Sequence, residues 1–136
     1  MLINLYAKNK RGNLNFTPPA IVLDRKFNYK VGITSINFEP REPIDIRDNE
    51  LCCLVTNLVD LSINNPLQTI VHLAYSHKPR IQNKQFSFVQ YYPLNLYELE
   101  HVTLELDRLQ TEKIIELNHL FLQIDIQRVD AYGRIQ

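Results

Sequence analysis

The residues that could carry chemistry are scattered along this 136-residue sequence and form no standard catalytic or metal-binding motif. His72 and His77 are five positions apart, so on one strand they would point to opposite faces and could not share a metal ion. His101 and His119 fall on predicted strands that could be neighbours. This leaves open a two-histidine site at an interface, although surface histidines on polar faces are the simpler interpretation.

Signatures of a catalytic nucleophile are missing as well. The three glycines are too far apart for a phosphate-binding loop or a nucleophile elbow. Glu105 and Asp107 would share one face of a strand, but that face lies opposite an apolar one, so a solvated outer surface explains them. Cys52 and Cys53 are adjacent and would not form an ordinary disulfide in a strand, which favours reduced cysteines. We therefore predict a protein that is not an enzyme and that holds no cofactor and no metal.

The charge balance and the termini limit the partners. Fifteen basic and fifteen acidic side chains give a formal net charge of zero, so there is no strong signal for nucleic-acid binding. The longest apolar block, 51–55, is much too short to span a membrane. The first basic residues follow the first apolar residues, which is the wrong order for a signal peptide. We expect an intracellular or virion protein with no membrane association.

Apolar residues recur with a period of two, which is typical of half-buried β-strands. The pattern is clearest over 27–34, 102–107 and 120–127, and it is weaker over 2–6, 20–23, 51–58, 67–75 and 86–92. Ile36 and Phe38 have the opposite parity to Val31 and Ile33. Either a bulge lies near Ser35, or the strand passes from one packed surface to another. At most a helical turn is expected around 94–99, with another near 108–113.

About eight short strands with long connections predict an all-β fold, an antiparallel two-sheet β-sandwich. Few glycines and almost no Asn-Gly or Asp-Gly pairs argue against a series of tight hairpins, whereas Greek-key crossovers need long connections. We therefore predict a single domain over 1–136 with a jelly-roll arrangement. An immunoglobulin-like sandwich is the alternative, although the sequence has no tryptophan and no separated cysteine pair.

Aromatic residues outside a clean core pattern point to an interface. Phe86 and Phe88 share a parity and are interpreted as core. Tyr91 and Tyr92 are adjacent and must point apart, so at least one faces outward or into a partner. The predicted interface consists of these two tyrosines together with Tyr97, Phe121 and Phe38. Phe121 lies on the polar parity of its strand, and a large exposed ring there favours a covering partner. With Ile36 and Phe38, it suggests a sheet that is partly buried on both faces.

Four segments resemble a known group of proteins. Residues 29–36 (YKVGITSI) are similar to an early strand of small jelly-roll proteins of Maverick/Polinton-like elements and adintovirus-like DNA viruses. Residues 102–107 (VTLELD) and 120–126 (LFLQIDI) are similar to the closing strands of that group, and 91–94 (YYPL) resembles its Tyr-x-Pro-Leu element. The group usually has an Asp-x-x-Gly turn after the penultimate strand, whereas here Asp107 is followed by Arg-Leu-Gln-Thr. The resemblance implies a vertex or minor capsid subunit that assembles in rings.

Two hypotheses follow for the function. The first is a structural subunit of a viral capsid, of the penton or minor type, or a domesticated relative, which forms a ring or trimer and contacts other capsid proteins. The second is a monomeric β-sandwich binding module that recognises a carbohydrate, peptide or protein through an aromatic surface. A small β-sandwich enzyme comes third, and it would need His101 or His119 to meet a carboxylate in a cleft. The oligomeric state separates the first two hypotheses.

Overall fold

The computed structural model describes residues 1–10, 13–17, 21–41, 50–59, 69–75, 82–108 and 114–136. In these ranges the chain forms antiparallel β-strands and no α-helix, and a single 3₁₀ turn lies at Leu99–His101. The strands are β1 (Leu2–Lys10), β2 (Asn13–Thr17), β3 (Asn28–Pro40), β4 (Glu50–Thr56), β5 (Thr69–Tyr75), β6 (Gln82–Gln85), β7 (Tyr91–Pro93), β8 (Leu104–Arg108) and β9 (Leu117–Val129).

The strands form two sheets. The larger has the order β2-β1-β9-β3-β6, with β7 also paired to β3, and the smaller has the order β5-β4-β8. All of these pairings are antiparallel. The all-β, antiparallel character predicted from the period of two is confirmed.

The centre of the larger sheet is β9, which pairs with β1 on one side and with β3 on the other. Its even-numbered apolar residues, Leu120, Leu122, Ile124 and Ile126, are at most 3% exposed. The predicted apolar face of this strand is confirmed. The cluster of buried side chains contains residues of both sheets, including Ile3 and Leu5 of β1 with Leu104 and Leu106 of β8.

A β-bulge in β3 explains the change of parity along that strand. Ile33 pairs with Ile124 and Ser35 with Gln123, so Thr34 is the extra residue. The Thr34 hydroxyl group lies 2.8 Å from Gln123 Oε1 and 3.1 Å from its carbonyl oxygen.

The bulge rotates the following residues by one position, so that Ile36 and Phe38 turn to the same core as Val31 and Ile33. Of the two explanations weighed for the parity change, the bulge is therefore correct. Ile36 and Phe38 consequently give no support to a sheet buried on both faces.

Several of the strand pairs are nested one within the next along the chain. The outermost is β1 with β9, beginning at Leu2 opposite Asp125. Inside it, Val22 forms a bridge with Glu98, and two backbone hydrogen bonds join 21–23 to 97–99. Next come β3 with β6 and β7, and innermost is β4 with β5. Two further pairings, β3 with β9 and β4 with β8, join strands from different members of this nested set.

Several strand predictions need correction. The segment 86–92 is not one strand, because the chain leaves the sheet between β6 and β7. Phe88, interpreted as core, is 82% exposed there, whereas Phe86 packs against the core. Strand β2 was not among the predicted strands. Among the described residues of the predicted strand 20–23, only Val22 is paired, through a single bridge. The predicted helical turn near 108–113 lies almost wholly outside the residues that the structure describes.

We predict that the protein tolerates deletion of Thr34, the extra residue of the bulge. Ser35 would then follow Ile33 directly, so β3 becomes regular while Ile36 and Phe38 stay opposite Leu122 and Leu120 and keep facing the core. The deletion should cost no more than about 1–3 kcal/mol, from the lost hydrogen bonds and the change in local twist, and Thr34→Ala, which keeps the bulge, should cost about 1 kcal/mol. Urea denaturation followed by circular dichroism measures both. A loss about 3–6 kcal/mol larger than that of Thr34→Ala, as expected if both apolar side chains left the core, would contradict this interpretation of the bulge.

Candidate functional site

The face of the larger sheet that points away from the buried cluster, here called the outer face, is formed by side chains in cross-strand rows. One row contains Tyr6 of β1, Phe121 of β9, Asn37 of β3 and Asn83 of β6, each opposite the next. The adjacent row contains Asn4, Gln123, Ser35 and Gln85. Side chains directly opposite each other in antiparallel strands are close enough to touch. The two rows therefore form a continuous surface across four strands.

A shallow cavity of about 430 Å³ lies over these rows. It is lined by Tyr6, Ser35, Asn37, Asn83, Gln85, His119 and Phe121. The Tyr6 and Phe121 rings have centroids 6.4 Å apart and planes tilted by 54°, a favourable aromatic arrangement. Phe121 is half-buried and Tyr6 is 42% exposed. The predicted outward-facing ring of Phe121 thus forms part of the cavity wall.

His119 stands at one end of the cavity with both ring nitrogens facing side chains of its own chain. Nε2 lies 2.8 Å from Asn37 Oδ1, and Nδ1 lies 3.5 Å from Glu39 Oε2. A histidine beside a carboxylate is the geometry that the enzyme hypothesis required. Both ring nitrogens therefore face polar groups of the same chain, and the contact with Nε2 orients the Asn37 amide.

The two adjacent tyrosines of β7 point to opposite sides of the sheet, as predicted. Tyr92 packs against the core, and its hydroxyl group donates a hydrogen bond to Gln90 Oε1 at 2.9 Å. Tyr91 lies on the outer face and donates to Asp125 Oδ2 at 2.7 Å. Asp125 also accepts a hydrogen bond from Gln127 at 2.7 Å, and the Met1 amino group lies 3.0 Å from its other oxygen.

These contacts shift the pKa values of both partners. Burial raises the pKa of the Asp125 carboxyl, but the hydrogen bonds from Gln127 and Tyr91 and the nearby amino group outweigh it, so the pKa falls below 3.8. The hydrogen bond to Asp125, together with burial and the negative charge, raises the pKa of Tyr91 above 10.0. The pair is therefore in its bonded form, ionised Asp125 and neutral Tyr91, over a wide pH range.

The residue beneath Tyr91 is a glycine, which leaves room for the ring to lie close to the sheet on its way to Asp125. Tyr91 and Gly32 are directly paired between β7 and β3. A Cβ atom on Gly32 would lie 3.0 Å from the Tyr91 ring and 2.5 Å from Val89 Cγ1. No real Cβ tolerates the second of these distances, so Gly32 is needed here for space.

The other two predicted interface residues occupy separate places. Tyr97 is half-buried against the core, in an edge-to-face contact with Tyr29 at 6.2 Å, and the Arg25 guanidinium lies 5.4 Å from its ring centroid. Phe38 is 2% exposed and is covered by its own chain. The structure therefore brings only Phe121 and Tyr91 to one face. A role of these residues in an interface stays a prediction.

Possible metal ligands do not gather in the described part of the chain, where no group of three histidine, cysteine or acidic side chains is close enough to hold an ion. The side chains of His72, His77 and His101 are not among those that the structure describes. The two-histidine site of His101 and His119 therefore stays a prediction. In the same ranges, no helix has the length and apolar character needed to cross a membrane.

Comparisons of the chain with protein-family models, curated proteins and solved structures find no match. The function must therefore be inferred from the fold and from the surfaces themselves.

Sequence reasoning singled out Phe121 but missed the other members of the cavity. Tyr6 was on a predicted strand, yet nothing in the sequence indicated that β1 would pair with β9. A usable signal was the type of polar residue on the outer parity. Around Phe121 these residues are amides and hydroxyls, Asn37, Ser35 and Gln123, where a solvated face more often carries charges.

We predict that Gly32→Ala destabilises the protein by about 1–3 kcal/mol, because the added methyl group overpacks the contact with Tyr91 and Val89. In a Val89→Ala, Tyr91→Ala background the same substitution should cost less than half as much, since both obstructing side chains are gone. Thermal or chemical unfolding of the wild type and the three variants measures this coupling. An equal loss in both backgrounds would show that close approach is not the reason for the glycine.

We predict that Tyr91→Phe costs about 1.5–3 kcal/mol near neutral pH, as expected for a hydrogen bond to a charged group. The stability that the protein gains from the lowered pKa of Asp125 is fully present above pH 3.8. It is lost as the pH falls through the pKa that Asp125 has in the folded protein. The contribution of the raised Tyr91 pKa is complete below pH 10.0 and is lost as the pH rises through the folded value.

The stability difference between wild type and Tyr91→Phe should therefore be flat between these limits and shrink outside them. Urea unfolding at a series of pH values measures it. Tyr132→Phe is the matched control, because Tyr132 is 83% exposed. A difference that does not change at low or high pH would argue against the ionised pair.

Proposed function

We propose that the two sheets pack as a jelly roll. A jelly roll is a long antiparallel hairpin rolled into two sheets, so that its first strand pairs with its last and its middle strands with each other. The nested pairs of this chain have that order, from β1 with β9 to β4 with β5. The joint cluster of buried residues from both sheets supports face-to-face packing.

The strand order favours the jelly roll over the immunoglobulin-like alternative. In an immunoglobulin constant-type sandwich, the first strand shares a sheet with the second, fifth and fourth strands, and the last strand belongs to the other sheet. Here the last strand, β9, lies between β1 and β3 in a single sheet.

The function we propose is that of a non-enzymatic structural protein, a jelly-roll subunit that assembles with its own copies. By the resemblance of its strands, it would be a vertex or minor subunit of a viral capsid, or a domesticated relative. The observation that carries this proposal is the nested strand order, because it is the architecture used by that group and by many capsid proteins. The zero net charge is compatible with assembly, since like-charged copies would repel.

A candidate contact for assembly is the end patch, which we define as Phe27, Tyr132 and Ile135. These side chains are 36%, 83% and 43% exposed, and they lie where β9 ends and β3 begins. The turn that carries Tyr132 is held by hydrogen bonds. Asp130 accepts hydrogen bonds from the backbone of Tyr132 and Arg134, and Gly133 adopts a φ of 77° that favours glycine.

A hydrogen-bonded turn that presents large apolar side chains to solvent favours a covering partner. Tyr91, Tyr92, Tyr97 and Phe121 each keep part of their surface exposed and remain candidates for further contacts. Phe38 does not, because its own chain covers it.

The second candidate function is a monomeric binding module for a carbohydrate, peptide or protein. The outer-face cavity favours it, because aromatic rings and polar groups converge there on one exposed surface. Assembly is preferred because it also accounts for the end patch.

We predict that the protein sediments as a ring or trimer, with a mass that is a multiple of 16.0 kDa, at micromolar concentrations. The double variant Tyr132→Ser with Ile135→Ser should raise the dissociation constant at least about tenfold, because burying the patch would then remove much less apolar surface from water. Sedimentation velocity or light scattering with chromatography measures both.

The matched control is Val22→Ser with Ile114→Ser, two apolar residues that are 67% and 59% exposed outside the patch. It should leave the mass unchanged. A wild-type protein that remains monomeric at high micromolar concentration would contradict assembly and favour the binding module. Equal effects of the two double variants would contradict the end patch as the contact.

A further inference from the structure

The cavity on the outer face has hydrogen-bonding groups that its own chain does not use. The amides of Asn83 and Gln85 are exposed and have no hydrogen-bond partner among the described residues. Within the same ranges, the hydroxyl groups of Ser35 and Tyr6 are also without one. An amide offers a donor and an acceptor side by side, and a hydroxyl group can serve as either. The cavity therefore presents several neutral donors and acceptors to a ligand.

Aromatic rings provide the other part of the surface. Tyr6 and Phe121 lie side by side at one end of the row that leads to Asn37 and Asn83. A ligand that crosses this row meets two apolar rings first and two amides next. A sugar has this same division, since each ring carries a patch of C–H groups on one face and hydroxyl groups around its rim.

The charge of the lining excludes other classes of ligand. None of the described residues that line the cavity is Asp, Glu, Lys or Arg. A nucleic acid or another polyanion would find no cations to replace its counterions. A peptide that adds a strand would pair with the backbone of the edge strand β6, whereas the groups that line this cavity are side chains on the face of the sheet.

We propose that this cavity is a binding site for a neutral oligosaccharide. The row from β1 to β6 crosses three strand spacings, roughly 14 Å, which suits a short oligosaccharide better than a single sugar ring. Tyr6 and Phe121 receive the C–H face of one ring, and the amides of Asn83 and Gln85 bind hydroxyl groups of the next. The site rests on the outer face alone and does not depend on the oligomeric state.

Because the cavity is shallow, affinity is expected in the millimolar range, and saturation-transfer NMR is the appropriate measurement. It detects the ligand, so it works for a monomer and for an assembly. The probes are four neutral trisaccharides, namely maltotriose, cellotriose, mannotriose and triacetylchitotriose, with sialyllactose as a charged counterpart. At least one neutral probe should give saturable transfer and bind more tightly than sialyllactose.

Two variants locate the site. Phe121→Ala and, separately, Asn83→Ala with Gln85→Ala should each weaken binding at least about tenfold. The second variant changes only exposed side chains and guards against an effect of Phe121→Ala on folding. Phe88→Ala is the matched control, because this exposed ring does not line the cavity, and it should leave binding unchanged.

Three results would overturn the proposal. The first is that no neutral probe gives saturable transfer up to its solubility limit. The second is that sialyllactose binds more tightly than every neutral probe. The third is that the Asn83 and Gln85 substitutions leave saccharide binding intact. Loss of assembly in the end-patch variant together with unchanged saccharide binding would show that the two surfaces act separately.

Discussion

The fold depends on the burial of alternate residues of β9 between β1 and β3. Leu120, Leu122 and Ile124 are completely buried, and this strand joins the two ends of the chain in one sheet. Its partner β1 is more than a hundred residues away in sequence. Such pairing closes a large loop, so its entropy cost has to be offset by the apolar area that both strands bury together. The closing strand therefore stabilises every nested pair inside it.

The bulge at Thr34 serves both faces of the same sheet. It returns Ile36 and Phe38 to the core, and by the same rotation it turns Ser35 and Asn37 to the outer face. A regular strand would place two amide or hydroxyl side chains in the core and two large apolar ones outside. The cavity and the core are thus two consequences of one irregularity in β3.

The sequence alone was sufficient to predict those features that depend on local period. The apolar face of β9, the change of parity near Ser35 and the opposite directions of Tyr91 and Tyr92 follow from alternation within a single strand. The change of parity left two explanations open, and the pairing of β3 with β9 was needed to identify the bulge. The prediction that Phe88 lies in the core was wrong, because the alternating pattern was extended through a segment where the chain leaves the sheet. The row of Tyr6, Phe121, Asn37 and Asn83 could not be predicted, because it depends on the register between four strands, which no local pattern encodes.

The chemistry of the two surfaces argues that they have different occupants. Covering Asn83 and Gln85 with another protein surface would leave their amides unpaired unless every group were matched, and each unmatched group would cost about 1–3 kcal/mol. A small polyhydroxyl ligand can adjust its position to match them. Tyr132 and Ile135 have the opposite requirement, since burying them gains free energy without any need for matched hydrogen bonds. Copies of the chain that meet only at the end patch would leave the outer face open, so assembly through that patch and ligand binding can coexist in one subunit.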